Sequence, residues 1–213
     1  MKKIILLALI VGLIGCSSEP NGSKNNNETD QKIPKPISEY AYTNYSKDQF
    51  PKTYAQWGED WISKISSFEK QVAQKIANES NTCDSIEMVS LSDNKSTPKK
   101  EAVFFVDCAN GERFYVSQND LAGTQEIKSQ TENAISQSEA LDSCTQMVKA
   151  NTKYPSSVNF KMLDSGGFTA ETTGNVVITL GFEAKNSLGA EVPAKARCVF
   201  TPDGEGEINI IEN

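Results

Sequence analysis

The spacing of apolar and polar positions changes several times along the chain, and each change predicts a different element. Residues Ile4 to Ile14 form one apolar run behind Lys2 and Lys3. From Ser17 to about Asp48 the chain is Asn, Lys, Ser, Glu and Pro, with Asn25-Asn26-Asn27 and Ile33-Pro34-Lys35-Pro36 and little aliphatic content. Such a segment has too little apolar surface to order itself, which predicts a flexible tether spanning roughly 30 Å. Tyr40, Tyr42 and Tyr45 near its end are placed to dock on the adjoining fold or on a partner. The period then becomes three and four: Tyr54, Trp57, Trp61, Ile65, Phe68, Val72 and Ile76, with Glu59, Asp60, Lys64, Glu69, Lys70 and Lys75 between them. That pattern predicts one amphipathic helix of about six turns. Asp48 or Ser46 can cap it, Pro51 suits its first turn, and Asn78 to Asn81 stop it.

Strand patterns follow. Cys83 to Leu91, Ala102 to Cys108 and Arg113 to Val116 read as three strands, and Val103-Phe104-Phe105-Val106, apolar on both faces, reads as the middle one. Ala109-Asn110-Gly111-Glu112 signals a two-residue hairpin turn. Matching Leu91 to Glu101 places Cys83 opposite Ala109, next to Cys108. The polar stretch 118–137, interrupted by Gly123, predicts a domain boundary with a linker at 123–137. Ser138 to Asn151 reads as a second helix with Ala140, Leu141, Cys144, Met147 and Val148 on one side, capped by Ser138 or Ser136 and ended at Tyr154-Pro155. Val158 to Leu163, a turn at Asp164-Ser165-Gly166-Gly167, a short strand from Phe168, a turn at Thr173-Gly174, Val176 to Lys185 and Ala190 to Thr201 follow. Asn186-Ser187-Leu188-Gly189 fits a three-residue hairpin loop that pairs Asn186 with Ala190 and sets Cys198 opposite Ile178. The expected fold is α+β: two small domains, 49–122 and 138–213, each an antiparallel β-sheet covered by a helix, after a disordered N-terminal tether at 16–48. Side-chain matches between the halves are too few to indicate duplication.

The opening run is too short for a membrane-spanning helix, which needs about 20 apolar residues, and its layout is that of an export signal. Leu13-Ile14-Gly15-Cys16 resembles the lipobox of bacterial lipoproteins. The resemblance implies a signal peptide at 1–15, lipid on Cys16 and attachment to a membrane. Ser17 resembles the outer-membrane sorting pattern of Gram-negative lipoproteins, with the folded part facing the periplasm or the cell surface. Loss of Lys2 and Lys3 would take a formal net charge of −7 further negative, which disfavours nucleic acid as a partner. With Cys16 lipidated, Cys83, Cys108, Cys144 and Cys198 remain, an even number bound for an oxidising compartment. Strand register favours Cys83–Cys108, and a second helix lying over the face that carries Cys198 favours Cys144–Cys198. The region 138–201, from Cys144 through Tyr154-Pro155-Ser156-Ser157-Val158-Asn159-Phe160 to Ala184-Lys185-Asn186-Ser187-Leu188-Gly189-Ala190 and Cys198, resembles a small domain of unknown function in exported bacterial and phage-encoded proteins. That resemblance implies an envelope or phage-related role.

Little chemistry is legible. The chain has no histidine, hence no usual general base near neutral pH and no usual zinc ligand, and it has no C-x-x-C, P-loop or dinucleotide fingerprint. No cofactor and no metal are expected. Carboxylate pairs at Glu59-Asp60, Asp84 with Glu87, and Glu205 with Glu207 are candidates for glycoside hydrolysis, though each also reads as a solvated surface. Asp203 to Glu207 lacks the ligand spacing of a calcium loop. Tyr54, Trp57 and Trp61 are the candidate partner surface, set against a core role that their continuity with Ile65, Phe68 and Val72 favours. The leading expectation is a membrane-anchored, non-enzymatic module that binds an envelope protein, with phage exclusion a special case. The alternative is a carboxylate-based cell-wall or polysaccharide hydrolase. An exposed apolar patch argues for the first, and a cleft holding two close acids for the second.

Overall fold

The computed structural model describes residues 33 to 212. The expected signal peptide, Cys16 and the expected tether up to residue 32 lie outside them. The architecture is α+β, with two antiparallel sheets of three and four strands and one long helix against each. Among the described residues no helix is long and apolar enough to cross a membrane.

The apolar stripe after residue 50 is not one helix but two, α1 (Pro51–Trp57) and α2 (Glu59–Glu79). Gly58 separates them at φ 81° and ψ 162°, a conformation essentially reserved for glycine. Beyond the break, Ile62, Ile65, Val72, Ala73, Ile76 and Ala77 are buried on the sheet, together with Glu69. The buried stripe is therefore rotated relative to the predicted one, and it takes in a residue predicted to be polar surface.

The first sheet runs β1 (Ile86–Leu91), β2 (Val103–Cys108) and β3 (Arg113–Ser117), with β2 central as its two apolar faces predict. Two details differ from expectation. The β2–β3 loop has three residues, because Cys108 N–H bonds Glu112 O and the left-handed residue is Gly111 at φ 88°. Leu91 pairs with Phe104 rather than Glu101, so residues 92 to 102 form a longer loop and Cys83 precedes its strand. The Cys83–Cys108 bond nonetheless forms, with Cα atoms 5.6 Å apart.

From residue 33 the segment expected to be free lies along the outer edge of β1. Ile37 and Tyr42 make parallel bridges to Ile86 and Val89, and Ala41 is buried. Backbone pairing and a few aromatic anchors hold this arm, so low aliphatic content did not leave it unstructured. The stretch 123–137 is likewise tied down: Ser129 bridges Phe114, Gln130 N–H bonds Arg113 O, and Thr131 Oγ1 bonds Glu112. Hydrogen bonding of this kind, backbone to backbone and side chain to side chain, leaves no trace in a hydropathy pattern.

In the second half α3 (Gln137–Asn151) starts with a capping box between Ser136 and Glu139. Its apolar side, Ala140, Cys144 and Val148, packs on β5 (Val176–Lys185) and β6 (Glu191–Phe200). Asn186 N–H bonds Ala190 O and Ile178 pairs with Cys198, both as predicted, and Cys144 is bonded to Cys198 with Cα atoms 5.8 Å apart. Two strands depart from expectation. Residues 159 to 169 form one edge strand, β4 (Asn159–Thr169), whose register jumps between Lys161 and Gly166. The acidic stretch Asp203 to Glu207, read as a solvated surface, leads into a fourth strand, β7 (Gly206–Glu212), which pairs along β6 with Ile208 and Ile210 packed on the core. The two cores share no residue, although all described residues belong to one compact unit.

Candidate functional site

The aromatic cluster is mostly core. Trp57 is 2% exposed, Tyr54 is half-buried, and its hydroxyl donates to Tyr45 O at 3.2 Å. Trp61 is half-buried, its ring centroid 5.2 Å from that of Trp57, and the Lys64 ammonium lies 5.1 Å from the Trp61 ring. The break at Gly58 opens a notch of about 500 Å³ beside these rings, lined by Trp57, Gly58, Glu59, Asp60, Trp61 and Lys99. One nominated carboxylate pair thus shares a concavity with an aromatic ring and a lysine, a set of groups able to accept from and donate to hydroxyls. The other pairs gather into no such place. Asp84 accepts from the amides of Ser85 (2.6 Å) and Asn110 (3.1 Å), which hold its carboxyl below the usual range and make it a loop brace. Glu205 and Glu207 are exposed around the turn into β7.

A second carboxylate stands apart. Glu69 is 1% exposed, and Tyr45 of the arm donates to its Oε1 at 2.7 Å, while Leu91 N–H donates to the Tyr45 hydroxyl at 3.1 Å. The amide of Thr43 also faces the carboxyl, but Oε2 has no hydrogen-bond partner. Burial therefore dominates and raises the Glu69 pKa to about 7, against the lowering effect of the Tyr45 hydroxyl and the Thr43 amide. Sequence reading placed Glu69 among the polar residues of the helix. The signal lay in its spacing, four residues after Ile65 and three before Val72.

Sequence reading also missed an exposed apolar edge. Where β4 jumps register, residues 162 to 165 loop out, and the Ser165 hydroxyl replaces the ladder by accepting from Gly181 N–H (3.2 Å) and donating to Lys161 O (2.9 Å). Gly181 admits this loop: a Cβ there would lie 2.9 Å from the Asp164 Cβ. Met162 is left 58% exposed, Leu163 102% and Phe168 56%. Beside them, between α3 and β4, lies a cleft of about 350 Å³ lined by Gln137, Leu141, Met162, Gly167 and Ile178 among others.

Among the described residues no group of three or more Cys, Asp or Glu side chains is placed to hold a metal ion. No protein family model, no characterised protein and no solved structure matches the chain.

Proposed function

We propose that the chain is a lipid-anchored envelope protein, attached through Cys16, whose folded part is a non-enzymatic module binding a protein partner. The exposed apolar edge of β4 carries this reading. Three large apolar side chains within seven residues of one another, on an edge strand and beside a cleft, are the kind of surface that a partner covers. Two disulfides suit a chain that works in an oxidising compartment. A photo-crosslinker at Leu163, in the full chain in its native envelope, is expected to trap one defined partner. The same crosslinker at Lys70 on α2, and the Cys16→Ala chain, should not trap it. Equal labelling from Leu163 and Lys70, or none from either, would overturn the reading.

The notch at Gly58 favours the second reading, a carboxylate hydrolase, in one respect only: it brings Glu59, Asp60 and Trp61 together. Glu69, the carboxyl raised toward neutrality, is closed off from any substrate. Release of soluble fragments from peptidoglycan or polysaccharide by the wild-type chain, abolished in Glu59→Gln and Asp60→Asn, would move the assignment to the hydrolase.

A further inference from the structure

Among the described residues, one sheet edge alone is neither covered nor interrupted. The arm lies along β1 through the bridges of Ile37 and Tyr42, Ser129 and Gln130 cover β3, and the looped-out residues 162 to 165 break β4. β7 has no such protection. It pairs with β6 without a shift from Gly206 to Glu212, and it holds no lysine, no proline and no bulge, the usual devices that keep an edge from pairing. The bond from Thr201 N–H to Glu205 O sets the alternation of this ladder, so Glu207, Asn209 and Ile211 direct their N–H and C=O groups to Val199, Arg197 and Lys195. Gly206, Ile208, Ile210 and Glu212 turn theirs outward, and among the described residues none of these groups has a backbone partner. Glu207, Asn209 and Ile211 are exposed, Ile211 to 57%.

We infer that β7 is a dimer seam, at which a second copy of this chain adds its own β7 antiparallel about a two-fold axis through Asn209 and joins the two four-stranded sheets into one. A two-fold contact must be self-complementary, and this strand meets that condition. With Asn209 facing Asn209 of the second copy, Gly206 lies opposite Glu212 and Ile208 opposite Ile210, so each outward residue exchanges both hydrogen bonds and the whole strand is used. A shift of two residues in either direction leaves an end unpaired. The side chains agree with this register. Ile208 and Ile210, half-buried at the margin of the core, meet across the seam and continue the apolar layer beneath α3. On the other face Ile211 meets Glu207 of the second copy, and Lys195 stands one strand behind Ile211. Lys195 is exposed and among the described residues is paired with no carboxylate. Two strand spacings, about 10 Å, separate it from Glu207 of the second copy, a gap that the two side chains span. No like charges stand opposite each other. β4 is the opposite edge of this sheet, so the seam leaves the proposed partner surface free and the two proposals stand or fall separately.

Sedimentation equilibrium and cysteine cross-linking test this on the full chain carrying Cys16→Ala, so that no attached lipid drives association. The other native cysteines are paired, so an added cysteine is the single free thiol. The parent chain should pass from monomer to dimer over a concentration series, with no larger species. Asn209→Cys should link to itself on mild oxidation, because the two-fold pair is a non-hydrogen-bonded one with Cα atoms about 4.5 Å apart, within disulfide reach. Glu207→Cys and Ile211→Cys should each fail to link to themselves, since each lies about 14 Å from its own copy along the strand, and should link to each other when mixed. Ile211→Glu and Lys195→Glu, both at exposed positions, should each weaken the dimer about tenfold without lowering Tm, and Lys195→Glu with Glu207→Lys should restore it. A parent chain that stays monomeric throughout the series, a cysteine at Glu207 that links to itself as readily as one at Asn209, or dimer strength unchanged in Ile211→Glu would each overturn the inference.

Discussion

Glu69→Gln isolates the one carboxyl buried among the described residues and makes the pH dependence of folding quantitative. In the unfolded chain Glu69 ionises at its ordinary pKa of 4.5, whereas in the fold it holds its proton until about 7. Between those values the native state binds one more proton than the unfolded chain, so stability falls as pH rises. Below pH 4.5 both states are protonated and no penalty exists. Above about pH 7 both are ionised, and the native state carries the full cost of a buried charge. At 1.36 kcal/mol per pKa unit, the rise to about 7 amounts to about 3 kcal/mol lost across the window. The chain has no histidine to overlay its own titration there. Gln keeps the volume and still accepts from the Tyr45 hydroxyl, but it has no charge to bury. Equilibrium urea unfolding at pH 5, 6, 7 and 8, with disulfides intact, should show the wild-type chain losing about 3 kcal/mol and the variant staying nearly flat. Wild-type stability that is constant or rising over this range, or a slope that survives in Glu69→Gln, would refute the argument.

Other expectations follow from neighbouring contacts. Tyr45→Phe removes the acceptor of the Leu91 N–H and the donor to Glu69, so it should cost about 1–3 kcal/mol and move the Glu69 midpoint higher, read from the same urea series. Replacing Cys144 and Cys198 by Ala opens a loop of separation 54 and should cost about 4 kcal/mol, slightly more than replacing Cys83 and Cys108 at separation 25, measured as loss of denaturation midpoint. Gly174→Ala places a Cβ 2.0 Å from Gln130 O at φ +66°, and should cost about 3 kcal/mol or more. Gly189→Ala, at φ +83° in open space, should cost only the left-handed backbone term of about 1–2 kcal/mol, and thermal melts of the two variants compare them directly.

What was legible in the sequence was whatever depended on a short, closed piece of chain. The β5–β6 hairpin has a three-residue loop ending in Gly189, and that loop alone sets Ile178 opposite Cys198 and so leads to the Cys144 partner. The β1–β2 register had no such clamp. Eleven residues separate the strands, and the apolar pattern of β1 tolerated a shift of three positions. Gly58 was visible as a glycine inside a helical pattern, but its φ of 81° is set by how α1 and α2 pack, and the period of three and four runs through the break. The arm at 33 to 48 was misread because composition measures burial and not edge pairing. Ile37 and Tyr42 are held by backbone bridges to β1 that a polar sequence makes as well as an apolar one.

The candidate sites share that origin. Glu69 is buried because the arm brings Tyr45 over it from 24 residues away, and neither residue announces the other. The β4 edge is exposed because Gly181 admits the Asp164 loop, which forces Met162 and Leu163 out of the ladder. The cavity beside Asn151 exists because a 15-residue helix stops short of two ten-residue strands whose far ends carry alanine and valine. The length mismatch was present in the sequence. The meeting of the hairpin with the end of α3 was not, because it depends on the hairpin folding back toward Asn151. Filling that gap with larger side chains at Ala184 and Ala194 would have been an ordinary way to complete the core. The open end is therefore the feature of this fold that packing alone does not require.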